Sequence, residues 1–272
     1  YHVGVDFVKC IIPLARGGGY DHEKNETPYL ISVAGKPLVG HLIDQVVPLR
    51  PEEVIFILGD QDRQLMDYVT SSYDFKTRFI LQKQGKGSAH AIYGAKEFVD
   101  GEVVILFGDT FFDADIKGLR ESDDDAVIWT RKVEDPSDLG VVFLDGKHAS
   151  KLIEKPDEPV SNLAMIGLYY FKYADKLFDS IAYLLEHKIR TKGSYHLTDA
   201  LQHGINGDWK IAVREATDWI DADHGDGLFV LNQKLVGRSS RLNGKTFNSI
   251  VIRPSYIGKG AIIRDSVIGP HA

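Results

Sequence analysis

Apolar residues fall into two rhythms along this chain. Short continuous runs, Val8 to Leu14, Glu53 to Leu58, Thr77 to Leu81 and Val103 to Phe107, predict buried strands. Between them, Leu38 to Val47, Gln61 to Ser71 and Ser88 to Phe98 carry apolar positions at helical spacing. The second half continues with predicted strands at Asp125 to Arg131, Gly140 to Leu144, Met165 to Phe171 and Lys210 to Ala216. Helices are predicted at Ala174 to His187, Thr198 to Gly204 and Gly227 to Val236. β-branched strands alternating with amphipathic helices imply right-handed βαβ crossovers, hence an α/β fold with a mixed, mostly parallel sheet. Ligands on such a sheet sit beyond the carboxyl ends of the strands. The acidic run Glu121 to Asp125 reads as a solvated turn.

The rhythm changes after residue 236. Residues 237–244 form a polar, glycine-bounded hinge, and then Val251, Ile257 and Ile263 recur every six residues, with Ser255, Ala261 and Val267 at matching offsets. A hexapeptide period predicts a short left-handed parallel β-helix, each strand placing one aliphatic side chain in the coil core. The expected division is therefore residues 1–236 as the main domain and 237–272 as the truncated start of a β-helix. One such coil cannot bury its own ends and must lean on the main domain, a partner or further coils.

Two carboxylates and one loop carry the candidate chemistry. Asp109 follows Gly108 at the end of a buried strand, and Asp221 closes Trp219-Ile220-Asp221. Two strand-end carboxylates brought together by the fold can hold Mg²⁺ against phosphate, because that ion takes few carboxylates and leaves its other positions to water and phosphate oxygens. The first strand feeds Ala15-Arg16-Gly17-Gly18-Gly19, and glycines there let backbone N–H groups close on an anion.

The order of these pieces resembles the sugar-1-phosphate nucleotidyltransferases, over nearly the whole chain from Val8. Val33-Ala34-Gly35-Lys36-Pro37 is similar to the family's Val-x-Gly-Lys-Pro segment. Gln82 with Gly87-Ser88-Ala89-His90-Ala91 is similar to its base-reading element, and Leu139-Gly140-Val141-Val142 to its sugar-contacting strand. Glu154-Lys155-Pro156, Gly167-Leu168-Tyr169, Leu197-Thr198-Asp199-Ala200 and Trp219-Ile220-Asp221 follow in family order. The resemblance implies a Rossmann-like nucleotidyltransferase fold. It also implies transfer of a nucleotidyl group from a nucleoside triphosphate, dTTP or UTP, to a sugar 1-phosphate, glucose 1-phosphate by default, with release of pyrophosphate. By the same resemblance Asp109 and Asp221 bind Mg²⁺, Gln82 and Gly87 read the base, and Gly140 and Glu154 bind the sugar. Lys155 meets the sugar phosphate, and Ala15, Gly17 and Gly18 line the triphosphate.

The glycine loop departs from the family. The family pattern Gly-x-Gly-Thr-Arg and a following Pro-Lys-Pro supply an arginine and a lysine to the triphosphate, whereas this chain has Tyr20-Asp21 and Thr27-Pro28-Tyr29 there. Arg16 and Lys24 are the nearby cations that could substitute as catalytic residues. Two readings stay open: an enzyme with a rebuilt clamp, or a weak or inactive nucleotide-sugar-binding regulatory homologue.

Bulk properties narrow the partners. The chain has 272 residues, 43% of them hydrophobic, enough for a full core. A net charge of −7 argues against nucleic acid as the main partner. No run reaches the ~18 apolar residues of a membrane span. The single cysteine, Cys10, sits in an apolar strand as a small core residue and fits a reducing, cytoplasmic setting. The ten histidines form no metal-ligand spacing, and His90 reads as a packed or capping residue. The expected assembly is a homo-oligomer.

Overall fold

The computed structural model describes residues 8–14, 28–59, 62–82, 84–116, 118–119, 122–223, 226–238 and 240–272. Its first half runs β1 (Lys9–Pro13), the hairpin β2 (Ser32–Val33) and β3 (Lys36–Pro37), α1 (Leu38–Asp44), β4 (Glu53–Leu58), α2 (Arg63–Ser72), β5 (Lys76–Leu81), α3 (Ser88–Tyr93) and β6 (Val103–Leu106). The second half runs β7 (Thr110–Asp113), β8 (Ala126–Lys132), β9 (Gly140–Asp145), β10 (His148–Glu154), β11 (Leu163–Phe171), α4 (Ala174–Glu186), α5 (Leu197–Asn206), β12 (Ile211–Glu215), β13 (Asp218–Asp221) and α6 (Gly227–Arg238).

Nine strands form one sheet in the order β5-β4-β1-β6-β11-β8-β12-β10-β9. Strand alternation divides its side chains between two cores. Cys10, Ile12, Val54 and Phe56 pack with Leu38, Leu42, Ile43 and Leu65 of α1 and α2. Ile11, Ile55 and Ile57 pack on the opposite face with Ile92 of α3, Phe178 of α4 and Leu201 of α5. Burial pushes the Cys10 thiol up to about 12, which fits an inert core residue.

Several expectations change at this level. The sheet is mixed rather than mostly parallel: β5, β4, β1 and β6 pair in parallel, but β11 runs against β6 and β8, and β10 against β12 and β9. The turn at Gly146 between β9 and β10 is too short for a crossover helix, so it forces an antiparallel hairpin. The helix predicted to Phe98 ends at Tyr93, with Gly94 at its C-cap and a 3-10 turn at Lys96–Phe98. The last helix continues two residues past Val236 to Arg238. The acidic run is not a solvated turn throughout. Asp124, 7% exposed, accepts from His148 Nε2 at 2.8 Å and Ser122 Oγ at 2.7 Å, and Asp125 accepts from Lys176 Nζ at 2.5 Å.

After α6 come six short strands: β14 (Arg241–Leu242), β15 (Lys245–Phe247), β16 (Ile250–Val251), β17 (Tyr256–Ile257), β18 (Ile262–Arg264) and β19 (Val267–Ile268). Each of the first three pairs in parallel with the strand three places later: β14 with β17, β15 with β18, β16 with β19. Ile257 is buried and Val251 and Ile263 half-buried, whereas Ile250, Ile262 and Val267 are exposed. This segment leans on the main domain. The Tyr256 ring packs against Gly35 in the β2–β3 hairpin, and Asn232 of α6 accepts from the Ala34 N–H at 2.9 Å while donating to the His271 carbonyl at 2.8 Å.

Candidate active site

Asp109 stands on a turn at the carboxyl end of β6. The Phe107 N–H donates to the Gly167 carbonyl at 2.9 Å, and the Thr110 N–H closes the turn on Phe107 at 3.2 Å. Thr110 Oγ1 donates to the Ile166 carbonyl at 2.7 Å and lies 3.2 Å from Asp109 Oδ1, tying the turn to β11. On its other side β7 is bracketed by one side chain: Gln45 Nε2 donates to the Thr110 carbonyl at 2.9 Å and Gln45 Oε1 accepts from the Phe112 N–H at 2.8 Å.

The second aspartate arrives through the β7–β13 ladder, whose antiparallel register sets Asp221 opposite Thr110. The Ala222 N–H donates to the Asp109 carbonyl at 2.8 Å, locking the two carboxylate-bearing segments side by side. Burial pushes Asp109 up to about 6, and the charges of Asp221 and Asp223 add to the rise. A half-buried carboxylate beside a second one is a donor pair able to hold a cation. Among the described residues no third His, Cys, Asp or Glu completes a cluster, so the other ligand positions would fall to water and phosphate oxygens, as Mg²⁺ prefers.

The residues expected to bind the sugar converge at the start of β9 and the end of β10. Gly140 opens β9 against Glu154 at the end of β10. A Cβ on Gly140 would stand 2.4 Å from Met165 Cε, 2.8 Å from Thr198 Oγ1 and 3.0 Å from Glu154 Oε2, so only glycine keeps this cradle open. Glu154 is held from α5: Thr198 Oγ1 donates to Oε2 at 2.5 Å, and His196 Nδ1 lies 3.0 Å from Oε1. Burial alone would raise Glu154, yet the bond and charge of His196, with Thr198 and Lys155, hold it below the usual carboxylate range. Lys155 follows on a positive φ with its N–H on the Leu139 carbonyl, and its ammonium is 3.8 Å from the exposed Asp138. Tyr169 on β11 lies within electrostatic reach of both corners. Burial first, then the charges of Glu154 and Asp109, push its phenol upward.

The residues expected to read the base flank α3. Gln82 Nε2 meets His90 Nδ1 at 2.5 Å. Gly87, at φ +107, packs so tightly that a Cβ would stand 2.3 Å from the Tyr195 carbonyl oxygen. The Tyr195 N–H donates to the Lys86 carbonyl at 2.8 Å, the Ala89 N–H to the Tyr195 carbonyl at 3.0 Å, and the Leu197 N–H to Ser88 Oγ at 3.0 Å. The start of α3 and the approach to α5 are thereby stitched together.

The structure thus brings Asp109 and Asp221 together, and Gly140, Glu154 and Lys155 together, while Gly87 packs on Tyr195, next in sequence to His196, and Gln82 meets His90 of α3. Ala15, Arg16, Gly17, Gly18 and Lys24 lie outside the described residues. Pro28 begins a 3-10 turn, and Tyr29 beside it is buried against Gly108. Sequence reasoning set His90 aside as packing and gave no role to His196, although His196 immediately precedes the quoted Leu197-Thr198-Asp199-Ala200 segment.

The mixed sheet, with Asp109 and Asp221 at one corner and the Glu154–His196–Thr198 group at the end of β10, defines a mixed-sheet α/β protein with two polar corners. Residues 24–236 match the nucleotidyl transferase family, and the chain belongs to it. It is 29% identical over 242 residues to the bifunctional protein GlmU of Methanocaldococcus jannaschii, covering 88% of this chain and 57% of that protein. It is 32% identical over 199 residues to the low-salt glycan biosynthesis nucleotidyltransferase Agl11 of Haloferax volcanii, covering 70% and 54%. The chain thus spans a little over half the length of these curated relatives. Among solved structures, a UDP-glucose pyrophosphorylase complexed with UDP-glucose superposes with a TM-score of 0.74 at 20% identity, covering 85% of this chain and 99% of that one. A putative glucose-1-phosphate thymidylyltransferase from Bacillus anthracis gives 0.71 at 21% identity, covering 84% and 95%. These likenesses show the fold. No described helix is long and apolar enough to cross a membrane.

Proposed function

We propose that the chain transfers a nucleotidyl group from a pyrimidine nucleoside triphosphate, dTTP or UTP, to a sugar 1-phosphate, with glucose 1-phosphate as the acceptor to try first. The observation that carries this reading is the pairing of Asp109 with Asp221 across the β7–β13 ladder together with the Gly140–Glu154 cradle, Tyr169 feeling the charge of both Asp109 and Glu154. Family membership supports the reaction class, and a UTP–glucose-1-phosphate uridylyltransferase, AglF of Haloferax volcanii, is 30% identical over 180 residues.

In this reading Gly140 and Glu154 orient the sugar and Lys155 meets its phosphate. An oxygen of that phosphate attacks the α-phosphorus, the bond to the β-phosphate oxygen breaks, and pyrophosphate leaves with its electron pair. Asp109 and Asp221 would hold Mg²⁺, which supplies charge neutralisation on the phosphates when bound. Positioning and electrostatics suffice for this chemistry, so no side chain has to act as a general base. Arg16 and Lys24 take the triphosphate contacts that the family assigns to its missing arginine and lysine. Residues 237–272 are read as the first coils of a left-handed β-helix, a reading supported by the three parallel ladders and the six-residue recurrence of Val251, Ile257 and Ile263. A cytoplasmic homo-oligomer completes the reading.

Pyrophosphate release across triphosphates and hexose 1-phosphates tests the assignment. Asp109→Asn and Asp221→Asn are each expected to lower the Mg²⁺-dependent rate by at least about 10² while the far-UV circular dichroism stays native. Wild-type rates in both variants would sink the metal assignment. Binding of a nucleotide-sugar by a native protein that releases no pyrophosphate would favour the regulatory alternative.

A further inference from the structure

His196 has chemistry that the reaction above leaves unused. It is the N-cap of α5, its backbone is extended, and it makes no side-chain capping bond. Its ring is committed to Glu154 instead, with Nδ1 3.0 Å from Oε1. Thr198 Oγ1 serves the other oxygen at 2.5 Å. One protein donor per carboxylate oxygen leaves lone pairs on both oxygens for sugar hydroxyls. The flanking backbone is fixed on both sides, by the Tyr195 bonds to Lys86 and Ala89 and by the Leu197 bond to Ser88. The imidazole therefore has a defined place from which to aim Glu154.

The charged groups facing His196 come from two elements. Glu154 and Lys155 lie at the end of β10, and Asp199 lies in the first turn of α5, with Thr191 Oγ1 on its Oδ1 at 3.0 Å. Burial alone would lower His196 from its ordinary 6.5. The bond and charge of Glu154, aided by Asp199, outweigh burial and the opposing Lys155 and raise it.

We propose that His196 is a positioning residue for the sugar 1-phosphate. Clamped to Glu154, it aims that carboxylate across the Gly140 cradle, and its protonated form adds positive charge beside Lys155, so acceptor binding strengthens with protonation while triphosphate binding does not. The inference rests on the acceptor reading above. With His196 protonated, the charges of Glu154, Asp199, His196 and Lys155 cancel. With it neutral, they sum to one negative charge, which opposes the anionic phosphate.

The sign follows from the pair. The extra affinity is present while His196 of the ligand-free protein is protonated, a range that Glu154 extends above the ordinary 6.5, and it is lost as pH rises beyond that range. On the acid side it fails only when Glu154, held low, is protonated.

Calorimetric titration of glucose 1-phosphate and of dTTP, between pH 5.5 and 8.5, compares wild type with His196→Asn and His196→Ala. Asparagine keeps a donor near the Nδ1 position without titrating. The acceptor's own second phosphate ionisation, near pH 6, is common to every protein tested and cancels in the comparison. Relative to His196→Asn, wild-type affinity for glucose 1-phosphate is expected to fall about tenfold across the interval, while the dTTP profiles coincide. His196→Ala is expected to bind glucose 1-phosphate more weakly than His196→Asn at every pH. Parallel acceptor profiles in wild type and His196→Asn would overturn the role of His196 and leave the acceptor reading standing. Equal loss of both ligands in the variants would show a merely structural residue and overturn it as well. A wild type that binds dTTP but no glucose 1-phosphate at any pH would overturn the acceptor reading and this inference with it.

Discussion

Asp109 is the residue at which function and stability oppose each other. Its folded value near 6, against an ordinary 3.8, means that above pH 6 the native state carries a carboxylate that burial and Asp221 disfavour. The unfolded chain has no such penalty. The difference corresponds to about 3 kcal/mol of native-state destabilisation, absent at pH below both values and fully developed above the folded one. In the presence of a chelator, Asp109→Asn is therefore expected to be more stable than wild type at pH 8 by up to about 3 kcal/mol, and the gain should shrink as pH falls from 6 towards 3.8. Urea unfolding at pH 8 and pH 4 measures it. A variant less stable than wild type at pH 8 would show that Asp109 is not held against its preference. Such sites are where folding and activity trade against each other.

At the scale of elements, β7 determines where Asp109 stands, and Gln45 determines where β7 stands. The single amide bonds two backbone groups of one strand, Thr110 and Phe112, as a neighbouring strand would. Gln45→Ala leaves both unmet and should cost about 2 kcal/mol, with weaker Mg²⁺ binding as the β7–β13 ladder loosens. Thermal unfolding and a Mg²⁺ titration would check the two effects, and an unchanged Mg²⁺ affinity would show that β13 alone fixes the turn. This element also marks the limit of what the sequence makes legible. The strands β1, β4 and β6 are readable because continuous apolar runs are buried on both faces, and the half-buried edge strand β5 because it ends in Phe79-Ile80-Leu81. Asp109, Asp221, Gly140 and Glu154 are readable because each sits in a motif. β7 and β13 are not, since Thr110–Asp113 and Asp218–Asp221 are four residues each with an acidic end and no period to count. Gln45 is hidden for another reason: its partners lie 65 and 67 positions away, and nothing local in α1 announces them. His196 is intermediate, since its neighbours in sequence are recognisable but its bond to Glu154 exists only after β10 and α5 pack.

Across the whole molecule, the C-terminal strands are joined to the main domain through one small contact set. Asn232 of α6 grips both Ala34 and His271, and Tyr256 covers Gly35. Removing the grip by Asn232→Ala should expose the Ala34 amide to faster hydrogen exchange and cost on the order of 1 kcal/mol. Unchanged exchange at Ala34 would mean that Tyr256 alone holds the hairpin. The hairpin precedes α1, which carries Gln45, so the C-terminal strands connect to the Asp109 turn through contiguous packing.

The stitching of Lys86–Ala89 to Tyr195–Leu197 has a further consequence. Because one backbone assembly lies between Gln82 and Gly87 on one side and Glu154 on the other, any ligand that tightens the Gly87 turn also restrains the segment bearing His196. Thermodynamic reciprocity then fixes the converse: whatever factor a nucleotide contributes to acceptor affinity, the acceptor must return to the nucleotide, by the same factor and with the same sign. Reciprocity of this kind governs affinities, not rates, and neither ligand can be the effector without being the affected one.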